Sequence, residues 1–464
     1  MKPETGGTNA GTNANHPKVT VYIACHNYGQ YVSEAIESVI RQTMTDWELL
    51  IIDDNSTDTS PEVIALYADR PEIRTFRTDG IGLPAVCNLA LDNARGTYLV
   101  RLDGDDILDE NALQVLSGYL DRSPEMGLVY PDYFLIDEFG GVFSQFHRQR
   151  DPNGNNKLDM PPNGACTMIR KQILLDCGGY RVDLGAQDGF DLWAKVRDHC
   201  RMGNVNLPLF KYRRHSRNLT NNSRRILNAR RRIKRDAILD RIDAFRPIVA
   251  VVPCRRHFEF VEDLWRQELN GASLLERKLK SLIGCDLLDL IVVACDNPSV
   301  TDVLDKIDDD RVKFFERAPK NTARANPLPS ILEEISENFD PDMKGTTLAA
   351  FCQAPFLTSS TIEEVITTLV FNEADTSYGL ERLDSQLLRR TPHGLEPINR
   401  RSQLQTDGDV IYQESATCFA TRNANLLAGE INGRLIANFE LSSPENFFIG
   451  SEYELRLARL IASD

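Results

Sequence analysis

Three stretches near the start of the chain repeat one scheme, in which an apolar β-rich run ends in a polar loop and a helical segment follows or precedes it. The runs are VTVYIAC from Val19, ELLIIDD from Glu48 and TYLVRLD from Thr97. Strands that alternate with helices predict a parallel sheet covered on both faces, and hence an α/β fold. Ligands of such sheets bind at the carboxyl ends of the strands. We therefore expect the polar loops to share one edge.

The same alternation starts again after Arg246. PIVAVVPCRR and DLIVVACD are strand-like, and LLERKLKSLIGC between them is helical. A chain of 464 residues has room for two α/β domains, each with its own core. We predict a disordered tail at 1–16, a first domain at 17–220, a basic linker helix at 221–246 and a second domain at 247–464.

Charge and cysteine usage exclude several classes of protein. The net charge of −15 opposes a main role in binding nucleic acid. Ten scattered cysteines show no metal-ligand spacing, which is typical of reduced thiols in a cytosolic protein. The polar start of the sequence lacks the apolar centre of a signal peptide, and no run reaches the length of a membrane span. We expect a cytoplasmic protein.

A basic amphipathic helix is predicted over 223–245. The segment between Lys211 and Arg246 holds 13 Lys or Arg against three Asp, and apolar residues recur near helical spacing. One interpretation is a peripheral contact with the inner face of the cell membrane. The other, which we prefer, is a linker helix docked by its apolar stripe on the first domain, with its arginines on acidic surface.

Acidic residues gather where two of the predicted strands end. LVRLDGDD places Asp103, Asp105 and Asp106 around a turn, and Asp53 and Asp54 close an earlier strand. Carboxylates one residue apart around a turn can hold a hard cation such as Mg²⁺ or Mn²⁺. The DxD pattern alone fits a solvated turn equally well, but the second acidic strand end favours a site.

Two further residues are candidates by their chemistry. Asp188, in GAQDGFDLW, stands among Gly, Phe and Trp, which would desolvate its carboxylate and suit it to accept a proton. His215, in YRRH, could complete a metal site with Asp105. A helix cap at Asp188 and a structural or phosphate-facing His215 are the alternatives.

These segments, in this order, resemble the family 2 glycosyltransferases with the GT-A fold, a Rossmann-like nucleotide-diphospho-sugar transferase. The resemblance covers about 17–220 and rests on VTVYIACHNYGQY, ELLIIDDNSTD, LVRLDGDD, GAQDGFDLW and YRRH. It implies transfer of a sugar from a nucleotide-diphosphate donor to an acceptor hydroxyl, with inversion at the anomeric carbon. It also implies a role in cell-surface polysaccharide, glycolipid or glycan synthesis.

The resemblance assigns the donor's nucleotide to residues at the strand ends. Ala24 and Asn27 would line the nucleotide pocket, Asp53 or Asp54 would bond the base, and Asp103 would lie on the ribose side.

It assigns the chemistry to three others. Asp105 would bind Mn²⁺ or Mg²⁺, with His215 as a further metal or diphosphate contact, and Asp188 would be the catalytic base. Gln187 stands where the family usually has glutamate, which puts a secondary acceptor contact in doubt.

The second half resembles the cytidylyltransferases that activate sialic and related acids, over about 247–462. Its first loop, CRRHFEFVEDLWRQELNG, carries arginines in place of that family's glycines and lysine, and Phe448 and Gly450 stand where the family has a metal-binding Asp-x-Asp. This pattern predicts a degenerate nucleotidyltransferase-like α/β domain that binds or scaffolds.

Possible ligand residues of this half are Arg255, Arg256, Arg401 and Gln403, which could hold an anion. Ordinary surface ion pairs are an equally good interpretation of the arginines.

We therefore predict a metal-dependent inverting glycosyltransferase that acts on a glycan or glycolipid acceptor. A bifunctional enzyme that also activates a nonulosonic-type sugar with CTP is one alternative. A non-catalytic protein that only binds nucleotide or sugar is another. The sequence makes no prediction of the oligomeric state.

Overall fold

The computed structural model describes residues 16–147, 164–184, 188–216, 223–317, 328–383, 387–398, 404–406, 411–441 and 443–463. These fall into two compact units. The first runs to Arg230 and includes a short strand at Leu404–Thr406, and the second takes up the chain from Arg231.

Strands and helices alternate over the first hundred residues, as the sequence predicts, and further strands and helices follow up to Ala237. The strands are β1 (Val19–Cys25), β2 (Trp47–Asp54), β3 (Ile73–Thr78), β4 (Tyr98–Asp103), β5 (Ile107–Leu108), β6 (Met126–Ile136), β7 (Val142–His147), β8 (Met168–Arg170) and β9 (Arg201–Arg213). The helices are α1 (Val32–Ile40), α2 (Ser60–Ala65), α3 (Leu83–Asn93), α4 (Ala112–Arg122), α5 (Lys171–Asp176), α6 (Asp188–Val196) and α7 (Ser223–Ala237).

The remaining elements form a second alternating series. The strands are β10 (Ile248–Pro253), β11 (Glu268–Leu269), β12 (Ala272–Ser273), β13 (Leu290–Cys295), β14 (Val312–Glu316), β15 (Thr346–Ala350), β16 (Thr376–Leu383), β17 (Leu388–Thr391), β18 (Gly394–Pro397), β19 (Leu404–Thr406), β20 (Ile411–Arg422) and β21 (Ile436–Glu440). The helices are α8 (Leu274–Ile283), α9 (Thr301–Leu304), α10 (Leu328–Phe339), α11 (Ser359–Phe371), α12 (Asn423–Leu426) and α13 (Glu452–Ser463).

The first unit is built on one large sheet in the order β19-β7-β6-β8-β4-β1-β2-β3, with β9 beside β6 and β5 beside β9. β1 to β4 are parallel, as predicted, because helices connect them. The sheet as a whole is mixed, since β8 runs antiparallel to both β4 and β6 and a hairpin joins β6 to β7. The expectation of a purely parallel sheet was therefore wrong beyond β4.

Helices cover both faces of this sheet, which is why β1 and β2 are buried along almost their whole length. One core packs β-strand side chains against α1, α2 and α4. The other packs the opposite face against α3, α5 and α6, with Leu99, Leu128 and Tyr130 among its members. Successive side chains of a strand point to opposite faces of the sheet. Each residue at the carboxyl ends of the strands therefore belongs to one of these two faces.

The second unit has its own sheet, in the order β14-β13-β10-β15-β20-β16-β21. β10 lies between β13 and β15 and is parallel to both, whereas β20 is antiparallel to β15. Helix α8 begins with a capping box in which Ser273 and Glu276 exchange hydrogen bonds. The strand-like runs predicted after Arg246 are thus β10 and β13, and the helical run between them is α8.

The predicted basic helix is α7, followed by a 3₁₀ turn at Ile242–Phe245. Lys234 Nζ lies 2.9 Å from Glu364 Oε1 of α11, and Arg231 Nε donates to the other oxygen of the same carboxylate. Arg230, in the first unit, lies over the ring of Phe190. From Arg231 onward the basic residues of the helix therefore pair with acidic side chains of the second unit.

Among the residues described, no helix has both the length and the apolar character needed to cross a membrane.

Candidate active site

The carboxyl ends of β1, β2 and β4 meet at one edge of the first sheet. The strand registers pair Cys25 with Asp53 and Ala24 with Asp103, so the polar residues predicted to share an edge do so. The main-chain N–H of Gly104 donates to the carbonyl oxygen of Ala24 over 3.1 Å, which holds the turn after β4 against β1.

Three carboxylates gather in that turn. Each of Asp103, Asp105 and Asp106 places an oxygen within 4.8 Å of the others, and the last two are almost fully buried. Asp106 accepts the main-chain N–H of Arg213 over 2.9 Å, and within the described ranges its second oxygen has no hydrogen-bond partner. Burial, reinforced by the charges of Asp105 and Asp103, raises the pKa of Asp106 well above its ordinary value. Hard oxygen donors this close, one of them unsatisfied, fit Mg²⁺ or Mn²⁺.

Asp103 has a cationic neighbour of its own. Arg101 Nε lies 2.6 Å and Nη2 3.0 Å from the two oxygens of this carboxylate. This bidentate pair fixes the direction of the Asp103 side chain and offsets one of the three negative charges. Asp103 therefore lies at the margin of the cluster, beside a permanently charged guanidinium.

His215 lies against Asp105, as the sequence predicted for a shared site. Its Nε2 is 2.9 Å from Asp105 Oδ2, and its ring stacks on Tyr31 at a centroid distance of 5.5 Å. Tyr28 approaches the same ring edge-on at 6.0 Å. Burial and the nearby carboxylates raise the pKa of Tyr28, so its phenol stays neutral.

Arg213 is a functional candidate that the sequence analysis missed. Its guanidinium donates to the carbonyl oxygen of Asp105 over 2.8 Å and to Glu34 over 2.7 Å, and it lies 4.5 Å from the ring centroid of Tyr31. It also donates to main-chain oxygens of the turn between β6 and β7. The only signal was its position two residues before His215 in YRRH, and its hydrogen-bond partners lie 75 to 179 residues away in the chain.

Asn27 organises the loop after β1. It has a positive φ of 59°, its main-chain N–H donates to Ser56 Oγ, and its side-chain oxygen accepts the main-chain N–H of Thr57 over 2.8 Å. The side chain predicted to line the nucleotide pocket thus holds the loops after β1 and β2 together.

Asp53 and Asp54 are both buried but have different surroundings. Asp53 accepts the main-chain N–H of Ser56 and lies 3.3 Å from an exposed Arg77 guanidinium. Asp54 accepts the main-chain N–H groups of Ile81 and Gly82 over 2.7 and 2.8 Å. Asp54 thus fixes the loop that opens α3, whereas Asp53 lies between the loop after β2 and the guanidinium of Arg77.

The remaining predicted residues are placed only in part. Asp188 opens α6, but its side chain and the whole of Gln187 lie outside the described residues.

In the second unit Arg255 lies over the ring of Phe258, and the main-chain N–H of Arg256 donates to Asp296 over 2.8 Å. Arg401 and Gln403 also lie outside the described residues.

Comparison with known proteins gives a family for part of the chain. Residues 20–176 match the model of glycosyl transferase family 2, and so form a domain of that family. The protein MT1568 of Mycobacterium tuberculosis is 28% identical over 215 residues, which are 42% of this chain and 67% of that protein. Chondroitin synthase of Escherichia coli is 32% identical over 129 residues, 28% of this chain and 19% of the synthase.

A solved structure with a similar chain is a mannosyltransferase of Pyrobaculum calidifontis in complex with GDP-mannose and Mn²⁺. Its sequence is 20% identical, the match covers 48% of this chain and 65% of that one, and the TM-score is 0.39.

Proposed function

We propose that the chain uses its family 2 domain to transfer a sugar from a nucleotide-diphosphate donor to an acceptor hydroxyl, with inversion and with a divalent metal. The observation that carries the proposal is the cluster of Asp103, Asp105 and Asp106 at the carboxyl edge of a nucleotide-binding type of sheet, inside the matched residues. A diphosphate is repelled by carboxylates unless a cation lies between them. The oxygens of these carboxylates are suitable ligands for such a cation.

Different residues at the carboxyl edge of the sheet would bind different parts of the donor. Asp105, supported by His215, would hold Mn²⁺ or Mg²⁺, and Asp106 offers a further oxygen. When bound, the metal would offset the charge that develops on the departing diphosphate. Asp103 would meet the ribose side, and Ala24, Asn27 and Asp53 or Asp54 the nucleoside.

Inversion follows from a single displacement. Asp188 would accept the proton of the acceptor hydroxyl while that oxygen bonds to the anomeric carbon and the bond from that carbon to the diphosphate oxygen breaks. The support is the resemblance of GAQDGFDLW, which lies beyond the matched residues, to the family motif, and the position of Asp188 at the start of α6, a helix of the core that covers the Asp103 face of the sheet.

The acceptor is proposed to be a glycan or glycolipid, in keeping with the chondroitin synthase among the similar proteins. A cytoplasmic location is supported by the ten free cysteines. We propose that the second unit is a degenerate nucleotidyltransferase-like domain that binds an anionic ligand or scaffolds, with Arg255 and Arg256 near the carboxyl end of β10.

The test is release of nucleoside diphosphate from UDP-, GDP- and dTDP-linked sugars, and of CMP from CMP-linked sugars, with Mn²⁺ or Mg²⁺ and with a panel of acceptor glycosides. Turnover of one diphosphate donor, with an inverted anomeric bond in the product by NMR, is expected. Pyrophosphate release from CTP and an acid sugar would instead favour the bifunctional alternative. Nucleotide binding without turnover of any donor would favour the non-catalytic one.

A further inference from the structure

A second histidine-carboxylate pair lies in the first unit, apart from the acidic cluster. His147 Nδ1, on β7, is 2.7 Å from Asp132 Oδ2, on β6. The Asp132 side chain is fully buried, whereas 35% of the His147 side chain is exposed. A buried carboxylate thus holds a histidine whose other edge reaches solvent.

The strand pairing explains this arrangement. β6 and β7 are antiparallel with Tyr133 opposite Phe146, and the next step of the register sets His147 opposite Asp132. Directly opposed residues of an antiparallel pair share one face and lie close enough to touch. The geometry of the sheet therefore produces the contact.

Asn204 of β9 completes the group from the other side of β6. Its Nδ2 donates to the carbonyl oxygen of Tyr130 over 3.2 Å and approaches Asp132 Oδ1 at 3.3 Å. Asn204 is 6% exposed, and within the described part of the chain its Oδ1 has no hydrogen-bond partner. A buried acceptor atom without a donor is costly unless a ligand or water supplies one.

The chemistry of the pair defines what it can bind. Carboxylate oxygens accept hydrogen bonds, so Nδ1–H of His147 donates to Asp132, and Nε2 is the ring nitrogen left for a ligand. Oδ1 of Asn204 calls for a donor, and Nε2 of His147 calls for a partner that can either donate or accept, as a hydroxyl group does. Hydroxyl groups of an uncharged sugar supply such donors.

The pair lies on the same face of the sheet as Asp103. Ile169 of β8 is paired with Leu99 of β4 on one side and with Leu128 of β6 on the other. Asp103 and Asp132 each lie four residues beyond that row, toward the same edge. Two strand spacings separate them, or about 10 Å.

That separation indicates which part of the substrate is involved. The donor sugar is joined directly to the diphosphate, which the acidic cluster would hold. A group two strands away from Asp103 lies past that sugar, where the acceptor must approach.

We propose that His147, oriented by Asp132, binds a hydroxyl of a neutral saccharide acceptor. This inference rests on the proposed function and adds a specificity-determining residue to it. It assigns the acceptor recognition to β6, β7 and β9, and names an uncharged, hydroxyl-bearing sugar as the group recognised.

The first test compares wild type with His147→Ala, His147→Gln and the control His199→Ala, using methyl glycosides of neutral mono- and disaccharides as acceptors. His199 is exposed and its ring nitrogen meets a main-chain oxygen of its own helix turn. Loss of one hydrogen bond should raise the acceptor KM of His147→Ala about tenfold. The donor KM and the hydrolysis of donor in water should stay unchanged, and His147→Gln, which keeps an acceptor atom, should recover part of the loss. An unchanged acceptor KM, or an equal rise in donor KM, would overturn the inference.

A second readout separates this inference from the proposed function. In protein labelled with ¹⁵N-histidine, the ring resonances of His147 should move when the same glycosides are titrated in, while those of His199 stay fixed. Absence of turnover with every donor would count against the proposed function alone. His147 resonances that do not move with any neutral glycoside would count against the inference, whatever the outcome for turnover.

Discussion

Arg213 Nε lies 2.8 Å from the main-chain carbonyl oxygen of Asp105, and the same guanidinium donates to Glu34. This side chain is 1% exposed and joins β9 to the turn after β4 and to α1. Arg213 therefore positions Asp105, the proposed metal ligand, through the main chain and need not touch the substrate.

Arg213→Lys should weaken both the fold and the site. Lysine keeps the charge but lacks the planar fork that serves Asp105 and Glu34 together, so either the main-chain oxygen of Asp105 or the half-exposed carboxylate of Glu34 loses its donor. We expect the free energy of unfolding to fall by about 2 kcal/mol, measured by urea denaturation. Metal-stimulated donor turnover at a temperature where the variant is folded should also fall. Arg41→Lys, at an exposed site, is the control, and equal stability of the two variants would refute the assignment.

Glu364 anchors helix α7 through a buried ion pair. Lys234 and Arg231 hold the pKa of its carboxyl below the ordinary value, although burial alone would raise it. Glu364→Gln should lower the free energy of unfolding by about 3 kcal/mol, since it leaves Lys234 buried without its carboxylate.

The matched control is Glu363→Gln, because Glu363 pairs with a partly exposed Arg235 and should cost less than about 1 kcal/mol. The double change Lys234→Met with Glu364→Leu should recover most of the loss. Equal effects of the two single changes would show that burial of the pair is unimportant.

Lys278 predicts a pH dependence of stability in the second unit. Burial lowers its pKa from 10.5 to about 8, and its Nζ donates to the carbonyl oxygen of Ala354. Between these two values the unfolded chain binds the proton more tightly than the folded one, so the free energy of unfolding should rise with pH through this window.

The slope can approach about 1.4 kcal/mol per pH unit. Lys278→Met should abolish that rise in urea denaturation series run under reducing conditions from pH 7.5 to 10. Lys280→Met, at an exposed position of the same helix, should retain it. A slope that survives in Lys278→Met would mean that another group causes it.

The sequence predicted the shared edge of the first sheet because the acidic residues directly follow apolar strand runs in the chain. The runs that end in Asp54 and Asp103 mark both a strand and its carboxyl end, so the shared edge follows from the rule for parallel sheets. The roles of the residues at this edge are proposed from the resemblance to the family and do not follow from that rule.

Contacts between distant strands left no such signal. Arg213 meets Asp105 only because β9 returns beside β5 and β6, and His147 meets Asp132 only because of a hairpin register. Asp54 also shows the limit of motif reading, since its carboxylate is occupied by main-chain N–H groups of the next loop. Pairing partners and register are tertiary properties, and periodicity does not encode them.

The most direct test of the account is donor turnover as a function of Mn²⁺ concentration for wild type, Asp105→Asn and the control Asp121→Asn. Asp121 is a surface carboxylate that pairs with Lys18, away from the cluster. We predict metal-stimulated release of nucleoside diphosphate by wild type and Asp121→Asn, and a loss of a hundredfold or more, about 3 kcal/mol, for Asp105→Asn. Full metal-stimulated turnover by Asp105→Asn would contradict the assignment of this cluster as the centre of sugar transfer.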